Sequence, residues 1–238
     1  MGGRRSGMLD PVMSRTGAID YLEGRLDAPS ATGLDRLCLV EAPLVPEVRL
    51  HLAQDAIVWW ARMEAEAGAV MTPPFWATAW PGGQAVARYI LDHPVTVAGR
   101  RVLDVASGSG LLAIAAGLAG AAAVTANDID PYALAAIEMN AEANGVTVAA
   151  RPGDLLDGDG GDAEVVLAGD VFYSEAIAGR MWPFLHRAAA RGAQVLVGDP
   201  GREHLVRDRM TIVASYPVPA GGAWGEPQIS HMSVYEPR

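Results

Sequence analysis

The stretch from Arg101 to Ala119 constrains the fold more than any other part of the chain. Arg101-Val102-Leu103-Asp104-Val105 has the length and composition of a short buried strand. Ala106-Ser107-Gly108-Ser109-Gly110 follows without a gap, and Leu111–Ala119 is a run of small apolar residues. A strand, a glycine turn and a helix in direct succession open a parallel α/β sheet. Glycine turns the chain tightly and leaves no Cβ between the backbone and a ligand. Open parallel sheets bind ligands outside the carboxyl ends of their strands. Asp104, Ala106, Ser107, Gly108 and Gly110 are therefore expected at a cofactor site. The uncharged run from Val105 to Ala126 is long enough to span a bilayer. Its glycines, hydroxyl residues and alanines suit a strand, a turn and a buried helix instead.

Beyond this turn, strand and helix patterns alternate. Strands are expected at Ala123–Asn127, Val146–Ala150, Glu164–Ala168, Gln194–Val197, Thr211–Tyr216 and Ile229–Tyr235. Helices are expected at Pro131–Asn144, Glu175–Ala190 and Leu205–Met210. Pro131 suits a first helical turn and Gly145 a helix end. The turn-rich link Pro217–Pro227 is too short for a helical crossover, so the last two strands should be antiparallel neighbours. The predicted fold is α/β: a Rossmann-like doubly wound sheet, mostly parallel and seven-stranded, with an antiparallel last strand. Residues 99–238 form this core. Residues 38–98 read as a helical and loop cap over the site, and 1–37 as a partly ordered extension. Within the cap, Leu37–Val40 suggests a strand, Glu47–Glu66 a helix, and Pro81-Gly82-Gly83 a break before a helix at Gln84–Asp92.

Charge and cysteine content remove several classes. There are 18 basic and 28 acidic residues, a net charge of −10, and every basic residue is arginine. Such a surface repels phosphates, so duplex nucleic acid is not an expected partner. It suits a basic partner. One cysteine excludes an internal disulfide and a cysteine-built zinc site. The five histidines show no ligand spacing, so no metal is expected. Neither a signal peptide nor a membrane span is read, and a cytoplasmic location is the expectation.

The cofactor is ambiguous on the glycines alone, because Gly108-x-Gly110-x-x-Ala113 also fits a dinucleotide fingerprint. Asp104 discriminates. A carboxylate at the strand end repels a pyrophosphate and suits a ligand with a positive end. S-adenosyl-L-methionine, with its ammonium and sulfonium, is such a ligand. Asn127 and Asp128 end the second core strand, where a carboxylate can accept two ribose hydroxyls. Asp154 and Leu155 follow the third, and Gly169-Asp170-Val171-Phe172-Tyr173 the fourth. Trp76 and Trp80 lie between prolines in a stretch where a loop can lay a ring over a ligand.

Asp104-x-Ala106-x-Gly108-x-Gly110 resembles motif I of class I methyltransferases, with alanine where that family usually has glycine. A closer resemblance rests on four stretches in order: Pro74-Phe75-Trp76-Ala77-x-x-Trp80-Pro81-Gly82-Gly83, Asn127–Pro131, Gly169–Tyr173 and Gly198-Asp199-Pro200-Gly201-Arg202. Together they resemble the seven-β-strand lysine methyltransferases that modify the electron transfer flavoprotein β subunit, with the acidic-x-x-aromatic motif at Asp170 and Tyr173. The resemblance implies S-adenosyl-L-methionine as cofactor, S-adenosyl-L-homocysteine as product, and a protein substrate with a basic, lysine-containing segment. It places Asp154 near the adenine, and Gly169 and Asp170 near the reacting methyl. Asp170 and Tyr173 are then the catalytic pair, with Asp170 orienting the amine, and Phe172 and Tyr173 form the apolar substrate wall. A small-molecule N-methyltransferase and a non-catalytic cofactor-binding module remain as alternatives.

Overall fold

The computed structural model describes residues 13–26, 33–217 and 231–238. Its centre is a seven-stranded sheet: β3 (Arg101–Val105), β4 (Ala123–Asp128), β5 (Ala149–Pro152), β6 (Val165–Gly169), β7 (Gln194–Asp199), β8 (Met210–Pro217) and β9 (His231–Pro237). The spatial order is β5-β4-β3-β6-β7-β9-β8. β3 through β7 pair in parallel, and β9 runs antiparallel between β7 and β8. The order turns back at β3, whose two neighbours leave in opposite directions. A crevice opens there at the strand ends.

Alternation along the strands divides the core into two layers. Val102, Val124, Ala126, Val165, Leu167 and Leu196 face one way. They meet α3 (Pro81–Asp92), α4 (Leu111–Leu118) and part of α5 (Pro131–Ala143). Leu103, Val105, Val166, Ala168, Val195 and Val197 face the other way, against α6 (Glu175–Ala190). Phe184 and Met181 of α6 are fully buried, each contributing about 2 kcal/mol of apolar transfer. Asp130 caps α5 by accepting the Tyr132 N–H at 2.8 Å, with Pro131 in the first turn. This combination stops strand pairing and starts the helix.

The region before residue 99 differs from its sequence reading. Glu47–Glu66 is not one helix. Val45–Ala53 is strand β2, which pairs antiparallel with β1 (Leu37–Ala42), and α2 begins only at Ala56. Val45, Val48 and Leu50 are buried, which a strand achieves by facing them into the core. Asp55 then starts α2 by accepting the N–H groups of Ile57 and Val58. A further helix, α1 (Arg15–Leu26), lies within the expected extension and packs Ala18 and Leu22 among Trp59, Trp76 and Tyr132. Asn140 ties the hairpin to the sheet. Its Oδ1 accepts the His51 N–H at 2.7 Å, and its Nδ2 donates to the Ser109 carbonyl at 2.8 Å.

Three smaller differences follow from packing. The Pro81-Gly82-Gly83 break is itself the first turn of α3. The strand expected at Val146–Ala150 runs Ala149–Pro152, and the helix expected at Leu205–Met210 is a single 3-10 turn, Arg207–Arg209. The turn-rich link and the start of the last expected strand fall largely in 218–230, outside the described residues. Among the described residues, no helix is long and apolar enough to cross a membrane, and no cluster of potential metal ligands occurs.

Candidate active site

The ends of β3, β4 and β6 open onto a cavity of about 400 Å3. Ala106, Ser107, Gly108, Asn127, Asp128, Asp154, Leu155, Gly169, Asp170 and Tyr173 line it, together with Trp76 and Trp80. The structure thus gathers most of the expected residues on one surface. Gly110 stands behind it as the left-handed residue before α4. A Cβ there would sit 3.3 Å from the Ile137 Cα, so glycine serves both turn and packing.

Asp104 lies under this turn with no exposed surface. Its Oδ2 accepts the Ser107 hydroxyl and, at 3.1 Å, the Ala113 N–H of α4. Its Oδ1 is buried without a partner. Burial pushes this carboxyl up to about 7, and the Asp128 charge adds to the rise, while the two hydrogen bonds oppose it. A buried acceptor lacking a donor is costly. Asp104 lies beneath the cavity lining and not in it, and braces the turn that does line the cavity. Ala106 holds φ +52°, the left-handed region where glycine is favoured.

Asp128 ends β4 with Oδ2 accepting the Gly108 N–H at 2.9 Å and Oδ1 accepting the Asp130 N–H at 3.0 Å. Each oxygen keeps acceptor capacity toward the cavity. Burial raises its pKa, and burial also raises that of Asp130, to about 6. Asn127 lines the cavity, yet its Nδ2 donates to the Arg151 and Gly153 carbonyls and holds β5 in place. Asp154 accepts the Leu156 N–H and pairs with Arg180, which also reaches Asp157. That pairing draws the Asp154 pKa down.

Asp170 follows β6, the strand beside β3, and lines the same cavity. It is 7% exposed and, at φ +57°, left-handed. Its Oδ2 accepts the Gly83 N–H in the first turn of α3 at 2.8 Å, and its Oδ1 pairs with Arg202 at 2.7 Å. Arg202 also reaches Asp199 at 3.2 Å, and Asp199 Oδ1 accepts the N–H groups of Gly201 and Arg202. Burial raises Asp170 to about 6, Arg202 pulls it down, and Asp199 pushes it up. This arrangement depends on backbone contact. A Cβ on Gly198 would lie 1.9 Å from the Gly82 carbonyl oxygen, and one on Gly169 would lie 2.7 Å from the Gly83 Cα.

Tyr173 is 55% exposed at the cavity mouth. Its ring lies 5.7 Å from Phe75, and Phe75 lies 6.0 Å from Trp80, whose Nε1 donates to the Phe75 carbonyl. These three rings form an aromatic rim. Trp76 is placed differently from the expected covering ring. It is buried in the floor, edge-on to Trp59 at 6.4 Å. Phe172 is a correction: it is fully buried in the α6 layer and does not reach the cavity, so it is no substrate wall. Phe75, Gly83, Arg180 and Arg202 also line the cavity, and sequence reasoning alone assigns them no site role. Phe75, Gly83 and Arg202 lay inside the motif stretches, which was the available signal.

The strand order with reversed β9, and the carboxylate-anchored glycine turn at the end of β3, define a class I methyltransferase. Comparison with known proteins agrees. The family model for ribosomal protein L11 methyltransferase (PrmA) matches residues 89–171. The mouse (Mus musculus) electron transfer flavoprotein β subunit lysine methyltransferase is 38% identical over 218 residues, covering 89% of this chain and 78% of that protein. The zebrafish (Danio rerio) protein of the same name is 41% identical over 182 residues, 74% of this chain and 70% of its own. The human (Homo sapiens) one is 37% identical over 180 residues, 73% and 68%. The chain belongs to the electron transfer flavoprotein β subunit lysine methyltransferase family.

Proposed function

We propose that the protein transfers methyl groups from S-adenosyl-L-methionine to lysine side chains of a protein substrate, with the electron transfer flavoprotein β subunit as the target. The observation that carries this reading is the convergence of two half-sites on one cavity. The turn above Asp104 and the Asp128 carboxylate share this cavity with Asp170 and the Tyr173–Phe75–Trp80 rim. Family membership supports the same assignment.

The residues present fit the cofactor. The turn that Asp104 braces presents Ala106, Ser107 and Gly108 to the cavity, with no Cβ at Gly108 to keep a ligand from the backbone. Asp128 has acceptor capacity for a ribose diol, while Leu155 and Ile129 offer apolar surface for a base, with Asp154 beside them. When bound, the sulfonium cofactor supplies an electrophilic methyl group.

The chain's own residues must prepare the acceptor. A lysine ammonium has no lone pair and must lose a proton first, from a reference pKa of about 10.4. The half-buried aromatic rim disfavours the charged form and gives the lysine stem an apolar path. Asp170 accepts a hydrogen bond from the amine and fixes its direction. Orientation of this kind supplies much of a rate enhancement. The net charge of −10 draws in a basic segment from a distance.

Incubation with isotopically labelled cofactor tests the reading. The purified electron transfer flavoprotein β subunit and a lysine peptide library are offered beside nicotinamide and other small amines. Label on protein lysine is expected. Label on the small amines alone overturns the reading in favour of a small-molecule N-methyltransferase.

A further inference from the structure

Arg202 is a cationic side chain on the acceptor side of the cavity. It is held between two carboxylates, Asp170 at 2.7 Å and Asp199 at 3.2 Å, which are 6% and 0% exposed at their side chains. Asp199 is in turn committed to the N–H groups of Gly201 and Arg202. Facing Asp170 from α3 is the Gly83 N–H, at the positive end of that helix. Asp128 at the end of β4 and Tyr173, three residues after Asp170, also border the cavity, as do Asp130, Asp154 and Arg180 further along it. Arg202 and the helix N-terminus offset most of the charge of the Asp170–Asp199 pair, and Asp128 adds a further negative charge nearby.

The reaction in the preceding section presents this site with a problem. An unbalanced buried carboxylate beside the acceptor amine would hold it as ammonium, the unreactive form. Resting on the lysine-methylation reading, we propose that Arg202 is a positioning residue that fixes the Asp170 carboxylate and offsets its charge, so that the acceptor amine gives up its proton before methyl transfer. In that step one N–H bond of the ammonium breaks. The bonding pair stays on nitrogen as the lone pair, and the proton passes to water at the cavity mouth.

Loss of Arg202 acts in one direction whichever group responds. If Asp170 stays ionised, its uncompensated charge raises the amine pKa. If it takes up a proton, it ceases to accept from the amine in its anionic form. Both leave an extra proton in the site at neutral pH. The acid limb of kcat/KM therefore moves to higher pH.

The test compares wild type, Arg202→Gln and Arg202→Lys, with the β subunit or the best library peptide as acceptor, from pH 6.5 to 10. Affinity for S-adenosyl-L-homocysteine is measured alongside by calorimetry. For Arg202→Gln, a limb shifted upward by about one pH unit is expected, a rate loss of about tenfold near pH 7.5 that shrinks by pH 10. Arg202→Lys, which keeps the charge, shifts less, and affinity for the product changes less than threefold in both, about the scale of a weak contact. A rate loss equal at all pH values in both variants overturns the proposal, since a purely structural role gives that result. Should Arg202→Gln fail to fold, Arg202→Met, which also removes the charge, takes its place: an upward limb whose loss shrinks by pH 10 supports the proposal, and an equal loss at all pH values overturns it. A wild type that methylates no lysine overturns the functional reading instead, and the proposal with it.

Discussion

Replacing Asp104 by asparagine should flatten the pH dependence of stability. The wild-type carboxyl is fully buried, its Oδ1 is unpartnered, and it titrates in the fold near 7 instead of the ordinary 3.8. A folded-state value above the unfolded one means that the fold holds the proton more tightly. The associated stability is fully present below about pH 4 and is lost as pH rises through about 7. A rise of about three pH units corresponds to about 4 kcal/mol, an upper value that relaxation of the site reduces. Asparagine has the same shape and no titration, and its amide oxygen can keep the Ser107 and Ala113 hydrogen bonds. Urea unfolding at pH 5 and pH 8, without cofactor, reads the effect. Between those values the variant should gain on wild type by about 2 kcal/mol, since the part of the shift below pH 5 lies outside the window. Other titrating groups, Asp130 and Asp170 among them, act in both proteins and cancel in the comparison. If the stability difference between the two proteins is the same at both pH values, Asp104 is not a strained buried carboxyl and this account of the turn fails.

Two further outcomes follow from backbone geometry. Gly198→Ala puts a methyl group onto the Gly82 carbonyl and should destabilise the protein by about 3 kcal/mol or more, seen as a lowered urea midpoint. Ala106→Gly relieves a left-handed alanine; strain of about 1 kcal/mol, offset by glycine's extra chain entropy, leaves a net gain of about 0.5 kcal/mol in the same assay.

The core sheet was legible because its strands are short apolar runs closed by carboxylates and glycines, and parallel sheets read that way. The β1–β2 hairpin was not. Val48, Leu50 and Leu52 alternate as a strand should, but Val48, Leu52 and Ile57 also fit helical spacing. Glu47 and Arg49 between them carry no preference strong enough to decide. Only pairing with β1 settles the choice. On the site, Asp104, Asp128 and Asp170 announced themselves by standing at strand ends. Phe172 and Tyr173 could not be separated by sequence, since both are aromatic and adjacent, and the loop turns one inward and the other out. Arg202 stood in a motif stretch with nothing to mark its partner, because its contact with Asp170 is made through space across the ends of β6 and β7.

The glycine-to-glycine contact between α3 and the ends of β6 and β7 divides the labour of the acceptor side. Asp170 is clamped to a helix that has no room to shift, so its carboxylate is a fixed reference point. The aromatic rim is different: Phe75 and Trp80 come from a loop whose rings are partly open to solvent. On the proposed reading, altering which protein or peptide is methylated is a matter of rebuilding Phe75, Trp80 and Tyr173. Altering where on the acceptor the methyl lands would demand moving the clamp itself. An engineer seeking a new substrate would leave residues 82, 83, 169 and 198 untouched and randomise the rim.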